Sequence, residues 1–153
     1  MPARGTFATH ELYSQANSVP LFKLGPIGAF ATIATSRLPE MFPRMRFGFI
    51  EVRAQWVPYM CHHFYHTSNH QATWWKDGFL QERRLYVACQ TDDDLPYVLQ
   101  YAGEDNLVIG SDYGHDDSSS ELEALRILRQ DGSVSRRAID KMLDDNARAL
   151  YGL

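Results

Sequence analysis

The chain contains three short, mostly apolar runs, each followed by a polar cluster. The runs span residues 45–50, 85–89 and 107–110. They lack the polar alternation of a sheet with one face in water, so we predict strands of a parallel sheet that is covered on both faces. Because α/β folds place their chemistry where parallel strands end, the polar clusters behind these runs are the first candidates for function.

Apolar residues recur at the helical period around the predicted strands. One stripe starts near Gly25-Pro26 and predicts a helix ending near Pro39, and a second starts near Pro58. The two stripes comprise Ile27, Phe30, Ala31, Ala34 and Leu38, and Val57, Met60, Cys61, Phe64 and Tyr65. The order of a helix followed by three strand–helix units is typical of α/β folds built from βα units.

Capping residues predict the helices behind the second and third strands. Asp94 is placed to cap a helix through Tyr101, which Gly103 ends. Two overlapping capping boxes within residues 118–123 are expected to open a helix that Gly132 ends. The leucines of this helix that are expected to face inward are Leu122, Leu125 and Leu128.

A loop is predicted at the start of the chain and two further helices at its end. Ser135 is expected to cap a helix through Leu143, and Asn146 to cap the final turn, residues 147–151. Residues 1–20 carry no sustained period and are predicted to be a loop, so the βα units occupy residues 21–153. The length of 153 residues fits a single domain.

Composition narrows the class of protein. A hydrophobic fraction of 44% and a charged fraction of 22% are those of an ordinary globular domain. The net charge of −4 provides no basic footprint, so no nucleic-acid partner is expected. Without an apolar run of membrane-spanning length or a signal sequence, we expect no membrane partner and a cytoplasmic protein. Cys61 and Cys89 fall in apolar elements and are expected to be packed, reduced thiols.

The cluster behind the third strand holds the strongest candidates for chemistry. Asp112 follows the apolar run 107–110, and His115 follows Asp112. A carboxylate at a strand's carboxyl end can bind a divalent metal and accept a proton from bound water, but the same residue could form an Asx turn or cap the next helix. His115 could contact substrate, support Asp112 or be a loop histidine.

Further candidates follow the first two strands. Glu51 ends the first strand and is either a functional carboxylate or an exposed loop acid. Trp56 and Tyr59 could line a substrate mouth or pack beneath the loops. Gln90 and Asp92 end the second strand, at the edge where parallel strands place their chemistry, and could contact substrate, although acidic runs such as 92–94 are usually caps and solvated loops.

A group of histidines in the second helix has the spacing of a metal-binding pair. His62 and His66, and His66 and His70, are each one helical turn apart. The apolar stripe of this helix lies on the opposite side from His62, His63 and His66, so we interpret them as a solvated face.

Three segments resemble one known family. Residues 46–59, RFGFIEVRAQWVPY, are similar to its pattern LrvgfiEsgagWvPy, and residues 105–117, DNLVIGSDYGHDD, to edn.lvfgSDyPH.d. The ending 146–153, NARALYGL, resembles dNarrlYgl. The family is the amidohydrolase-related group of the amidohydrolase superfamily, which includes metal-dependent hydrolases and decarboxylases related to aminocarboxymuconate-semialdehyde decarboxylase. The resemblance covers roughly residues 20 to 153.

The resemblance implies a fold and a metal. The family fold is a (β/α)8 TIM barrel, in which the three runs would be strands six, seven and eight. The family's aspartate at the end of strand eight corresponds to Asp112 and implies a ligand of a catalytic divalent metal, most often zinc, and a proton-transfer group. Glu51 stands where many relatives carry a histidine, which leaves its role as ligand, base or orienter open.

The same resemblance implies that most of the barrel lies outside this sequence. A TIM barrel takes about 250 residues, and the family's His-x-His of strand one has no counterpart here. We therefore expect the C-terminal part of a (β/α)8 barrel: three parallel βα units with a leading helix and C-terminal helices. The expected whole enzyme hydrolyses, or non-oxidatively decarboxylates, a small organic acid or cyclic compound, and this chain alone is expected to be inactive.

Two rival interpretations come from a different class. In the first, the chain is a non-catalytic fragment or a self-associating α/β module, because open sheet edges demand a partner, and a homo-oligomer is then expected. In the second, it is an unrelated three-stranded α/β binding module whose first helix covers the sheet.

Overall fold

A three-stranded parallel sheet forms the centre of the computed structural model, which describes residues 23–68, 78–114 and 122–153. The strands are β1 (Phe47–Phe49), β2 (Leu85–Cys89) and β3 (Leu107–Ile109), in that spatial order. Phe49 lies opposite Val87 of β2, and Val87 lies opposite Leu107 of β3. The three predicted strands and their parallel pairing are confirmed, with β1 shorter than predicted.

The helices follow the predicted order with two additions. Their bounds are α1 (Leu24–Thr35), α2 (Leu38–Met41), α3 (Trp56–Thr67), α4 (Phe79–Arg83), α5 (Leu95–Ala102), α6 (Ala124–Asp131), α7 (Arg136–Asp140) and α8 (Asn146–Tyr151). A π-helical turn, Lys141–Asp145, joins α7 to α8. No helix in these described ranges is long and apolar enough to cross a membrane.

The first predicted helix is divided in two, so its predicted end near Pro39 is wrong. Ser36 leaves the helical conformation with a ψ of 174°, and its hydroxyl accepts a hydrogen bond from the backbone N–H of Leu38 at 3.2 Å. Pro39 then lies in the first turn of the separate helix α2. Proline fits that position because the N–H groups of a first turn have no partner inside the helix.

One face of the sheet carries most of the core. Helices α1, α3 and α5 supply apolar side chains to it, and the ring of Phe30 in α1 is central. Its centroid lies 5.2 Å from that of Phe49 and 4.8 Å from that of Trp56, both edge-to-face. The predicted stripe of α3 is confirmed, since its buried residues include Val57, Met60, Cys61 and Phe64.

The opposite face carries a smaller cluster. Tyr86, Ala88 and Val108 are buried there beneath Ala147 and Leu150 of α8. Helix α8 lies so close that a Cβ atom on the glycine at position 48 would stand 3.3 Å from a Leu150 methyl carbon. The sheet is therefore covered on both faces, as the unbroken apolar runs predict, but a single short helix contributes most of the second layer.

Asn146 does not cap the final turn, and that prediction is wrong. Its backbone is helical, with φ −69° and ψ −37°, because α7, the π-helical turn and α8 run on without a break. The side chain is buried, and its Nδ2 donates to the backbone carbonyls of Glu104 at 2.8 Å and Leu107 at 2.7 Å. The predicted cap Ser135 is confirmed, since its hydroxyl accepts from the N–H of Ala138 at 3.1 Å.

Helix α6 presents a different face to the core than predicted. Leu128 is buried, but Leu122 and Leu125 are 64% and 49% exposed. The buried side is formed by Ala124 and Leu128, which are one helical turn apart, and Leu125 is rotated about 100° from Ala124. Leu122 precedes the helix. The predicted capping boxes draw on residues 118–121, which lie outside the described residues.

Candidate functional site

Three loops meet at one edge of the sheet. Because β1, β2 and β3 are parallel, the segments that follow them, residues 50–55, 90–94 and 110–114, leave the sheet on the same side. Adjacent strands are about 4.8 Å apart, so β1 and β3 leave the sheet roughly 10 Å from each other with β2 between them. Glu51 therefore follows one outer strand, Asp112 follows the other, and residues 90–94 lie between them.

Asp112 lies where the sequence predicts it, just beyond β3. It is half-buried and has a φ of 50°, in the left-handed region. Aspartate is one of the few non-glycine residues that adopt this conformation readily, because its short polar side chain can bond locally. Asp112 therefore places a carboxylate at the edge of the sheet where the strands end. Both interpretations of this residue, as a metal ligand and as a turn former, require that position.

The loop after β1 also holds strained backbone. Glu51 and Arg53 have φ values of 62° and 60°, and with Asp112 they are three of the four described non-glycine residues at positive φ. Such conformations cost free energy and persist when the surroundings fix them, which is common at functional sites. The side chain of Glu51 is exposed, while its backbone carbonyl accepts a 2.6 Å hydrogen bond from Nζ of Lys23.

Trp56 supports this loop from below. Its indole Nε1 donates to the backbone carbonyls of Val52 at 3.1 Å and Arg53 at 2.8 Å, and its ring packs edge-to-face on Phe30. Of the two roles open to Trp56, packing beneath the loops is the one that these contacts show. Tyr59, by contrast, is 68% exposed on the surface of α3.

The loops after β1 and β2 are tied together by two neighbouring aspartates. Nη1 of Arg53 donates to both carboxylate oxygens of Asp92, at 2.7 and 2.8 Å. Beside that pair, Oδ2 of Asp93 accepts from the backbone N–H of Ala54 at 3.0 Å and of Gln90 at 2.9 Å. Asp92, predicted as a substrate contact, thus forms a salt bridge between loops, while Gln90 contributes its backbone N–H to the same junction.

Asp93 is the residue that sequence reasoning missed. It is only 6% exposed, although it stands in the middle of an acidic run that we interpreted as caps and solvated loop. Asp94 does cap α5, since its Oδ1 accepts from the N–H of Tyr97 at 3.2 Å. The sequence carries one signal for this role. Asp93 lies three residues after Gln90, and at that spacing an aspartate side chain can accept a hydrogen bond from the backbone N–H at the end of a strand.

Burial and hydrogen bonding act in opposite directions on Asp93. Burial raises the pKa of its carboxyl above the ordinary 3.8, whereas the N–H groups of Gln90 and Ala54 and the guanidinium of Arg53 lower it. Burial is the larger effect. The neutral form is therefore stabilised in the folded protein relative to the unfolded chain.

The described cysteines carry no sign of reactivity. Neither Cys61 nor Cys89 forms a disulfide and both are buried, which confirms the prediction of packed, reduced thiols. Burial raises the pKa of Cys61 to about 12, so thiolate is scarce at neutral pH. Sγ of Cys89 donates to the backbone carbonyl of Val108 at 3.3 Å.

The histidines divide between described and undescribed parts of the chain. His62, His63 and His66 are exposed on α3, as the solvated-face interpretation predicts, and Nε2 of His62 lies 3.0 Å from the hydroxyl of Tyr101 in a hydrogen bond. His70 and His115 lie outside the described residues. The predicted contact of His115 with substrate or with Asp112 therefore stays a prediction.

The ligand set for a metal ion is incomplete in the described structure. Residues 23–68, 78–114 and 122–153 hold no group of three or more His, Cys, Asp or Glu side chains that could bind one. Asp112 offers a carboxylate of the kind that divalent cations bind. The described residues thus fit one ligand position and do not form a complete site.

Comparisons with protein-family models and with curated proteins give no match for this sequence. Among solved structures, the chain is similar to the crystal structure of an amidohydrolase from Mycobacterium avium subsp. paratuberculosis K-10, with a TM-score of 0.68 and 20% sequence identity. The similarity covers 89% of this chain and 35% of the amidohydrolase. At that identity the likeness shows the fold alone: this chain has the α/β fold of part of a TIM-barrel amidohydrolase.

Proposed function

We propose that this chain serves metal-dependent hydrolysis, with Asp112 as a metal ligand and proton-transfer group, and that the substrate is a small organic acid or cyclic compound. The observation that carries the proposal is the position of Asp112. It is half-buried, has a φ of 50° and lies at the carboxyl edge of a parallel sheet whose fold is that of part of an amidohydrolase.

The chemistry assigned to the site follows from its carboxylates. A bound divalent ion such as zinc would supply Lewis acidity that lowers the pKa of a water molecule. Asp112 offers one oxygen as a ligand and keeps the other as a proton acceptor. Glu51, two strands away at the same edge of the sheet, orients substrate or accepts a second proton. Non-oxidative decarboxylation would use the same residues on a substrate that loses carbon dioxide.

Asp112 is the one metal ligand that we assign to this chain. The chain spans 35% of the length of the amidohydrolase to which it is similar, so the activity of a whole enzyme is part of the proposal. Residues 23–68, 78–114 and 122–153 hold no group of three or more side chains that could complete a metal site around Asp112.

Metal content tests the proposal. The protein is purified without chelator, dialysed against zinc, and measured by plasma mass spectrometry alongside Asp112→Asn and Asp145→Asn, an exposed control in the π-helical turn. We expect zinc to bind the parent and the control, and Asp112→Asn to lose at least tenfold in zinc affinity. Equal zinc content in the parent and Asp112→Asn, including none in either, would contradict the assignment.

Exposed apolar residues around β1 favour a second candidate, a self-associating α/β module without catalysis. Met45, two residues before this strand, and Ile50, immediately after it, are each 47% exposed, and Met41 and Phe42 are 61% and 44% exposed. Among the described strands, β1 pairs with β2 alone. A second copy of the chain would cover these side chains. Light scattering is then expected to give a dimer that Met45→Glu converts to monomer, and a monomeric parent would contradict this candidate.

A further inference from the structure

We propose that Asp93 is a positioning residue that locks the loop after β1 to the loop after β2 and so fixes where Glu51 stands. The inference rests on the proposed function, because Glu51 matters only if this edge of the sheet is a site. The contacts of Asp93 with the two loops can be tested without measuring any activity.

A single oxygen of Asp93 carries both contacts. Oδ2 accepts from Ala54, three residues beyond Glu51, and from Gln90, the first residue after β2. The other oxygen, Oδ1, is buried and has no hydrogen-bond partner among the described residues. A buried, half-satisfied carboxylate is costly, so its presence calls for a compensating role. Joining two loops from different strands is such a role.

The β1 loop needs support from outside itself. Glu51 and Arg53 both adopt left-handed backbone conformations, and strained backbone of this kind persists only where its surroundings determine it. Trp56 and Lys23 hold the loop through its carbonyl oxygens, as described above. Asp93 holds an N–H instead, and it does so from the loop that follows the neighbouring strand β2.

The Arg53–Asp92 pair alone does not explain the junction. Its side chains are 41% and 59% exposed, and exposed ion pairs contribute little. Asp93 is 6% exposed, where hydrogen bonds to a carboxylate are stronger because water does not compete. We therefore expect the buried carboxylate of Asp93 to fix the loop, with the Arg53–Asp92 ion pair beside it.

Backbone amide hydrogen exchange, followed by NMR, tests this role in Asp93→Ala and Asp93→Asn, with Asp94→Ala as the matched control. Asp93→Ala is expected to speed exchange at Ala54 and Gln90 by about tenfold or more. Asp93→Asn keeps an oxygen in the place of Oδ2 and is expected to restore slow exchange at both amides. Asp94→Ala is expected to affect Tyr97 and leave Ala54 and Gln90 unchanged.

Unchanged exchange at Ala54 and Gln90 in Asp93→Ala, or an Asn variant no slower than the Ala variant, would overturn the inference. If Asp93→Ala does not fold, a pH titration of the parent decides. The amide protons of Ala54 and Gln90 are then expected to shift together in one transition shared with the Asp93 carboxyl, near which only Arg53 and Asp92 carry charge among its identified electrostatic neighbours. Separate transitions, or none, would overturn it. Absence of bound zinc would count against the proposed function and leave these results standing.

Discussion

Nδ2 of Asn146 donates a 2.7 Å hydrogen bond to the backbone carbonyl of Leu107, the first residue of β3. The bond ties the start of α8 to the strand whose other end leads to Asp112. Since α8 also covers the second face of the sheet through Ala147 and Leu150, the C-terminal helix helps to set the position of β3. The candidate site therefore depends on a helix that packs on the second face of the sheet.

Asn146→Ala is expected to lower the free energy of unfolding by about 1–3 kcal/mol, because it leaves the buried carbonyl of Leu107 without its donor. The neighbouring Asp145→Ala changes an exposed side chain and is expected to stay within about 0.5 kcal/mol of the parent. Urea unfolding followed by circular dichroism measures both. Equal stability of the two variants would mean that the hydrogen bond does not hold α8 to β3.

The two faces of α6 give a second pair of variants. Leu128→Ala is expected to cost about 2–5 kcal/mol, since the side chain is 2% exposed and its removal leaves a cavity. Leu125→Ala, on the exposed side of the same helix, is expected to cost less than about 0.5 kcal/mol. Similar losses in the two thermal or urea transitions would show that α6 packs through the face first predicted from the sequence.

The raised pKa of Asp93 gives stability a defined pH dependence. In the window above the ordinary value of 3.8 and below the raised pKa, the folded protein binds more protons at Asp93 than the unfolded chain does. The contribution of Asp93 to stability therefore falls as pH rises through that window and is constant above it. Unfolding free energies of the parent minus those of Asp93→Asn, measured from about pH 4 to pH 7, should show this fall. A difference that rises with pH would contradict it.

Local patterns predicted the main elements of the fold because each depends on nearby residues. β2 and β3 follow from unbroken apolar runs and α3 from the helical period, and Asp94 and Ser135 cap helices within three residues of themselves. These signals do not require knowledge of what packs against the element.

The residues that were misread depend on contacts distant in sequence. Asn146 resembles a cap, but its partners Glu104 and Leu107 lie 42 and 39 residues earlier. Asp93 resembles a solvated acid, but Ala54, 39 residues away, draws it into the interior. Leu125 fits an apolar period whose inward direction is fixed by the neighbouring helices. In each case the tertiary partner decided the role, and a single sequence does not reveal that partner.

The position of a bound metal ion shows whether Asp112 is a metal ligand. Crystals of the protein grown or soaked with zinc would be measured on both sides of the zinc absorption edge, with Asp112→Asn treated in the same way. We predict an anomalous peak about 2.0–2.2 Å from a carboxylate oxygen of Asp112, absent from the variant. A zinc ion bound elsewhere, with the Asp112 carboxylate making no contact to it, would contradict the assignment of Asp112 as a metal ligand.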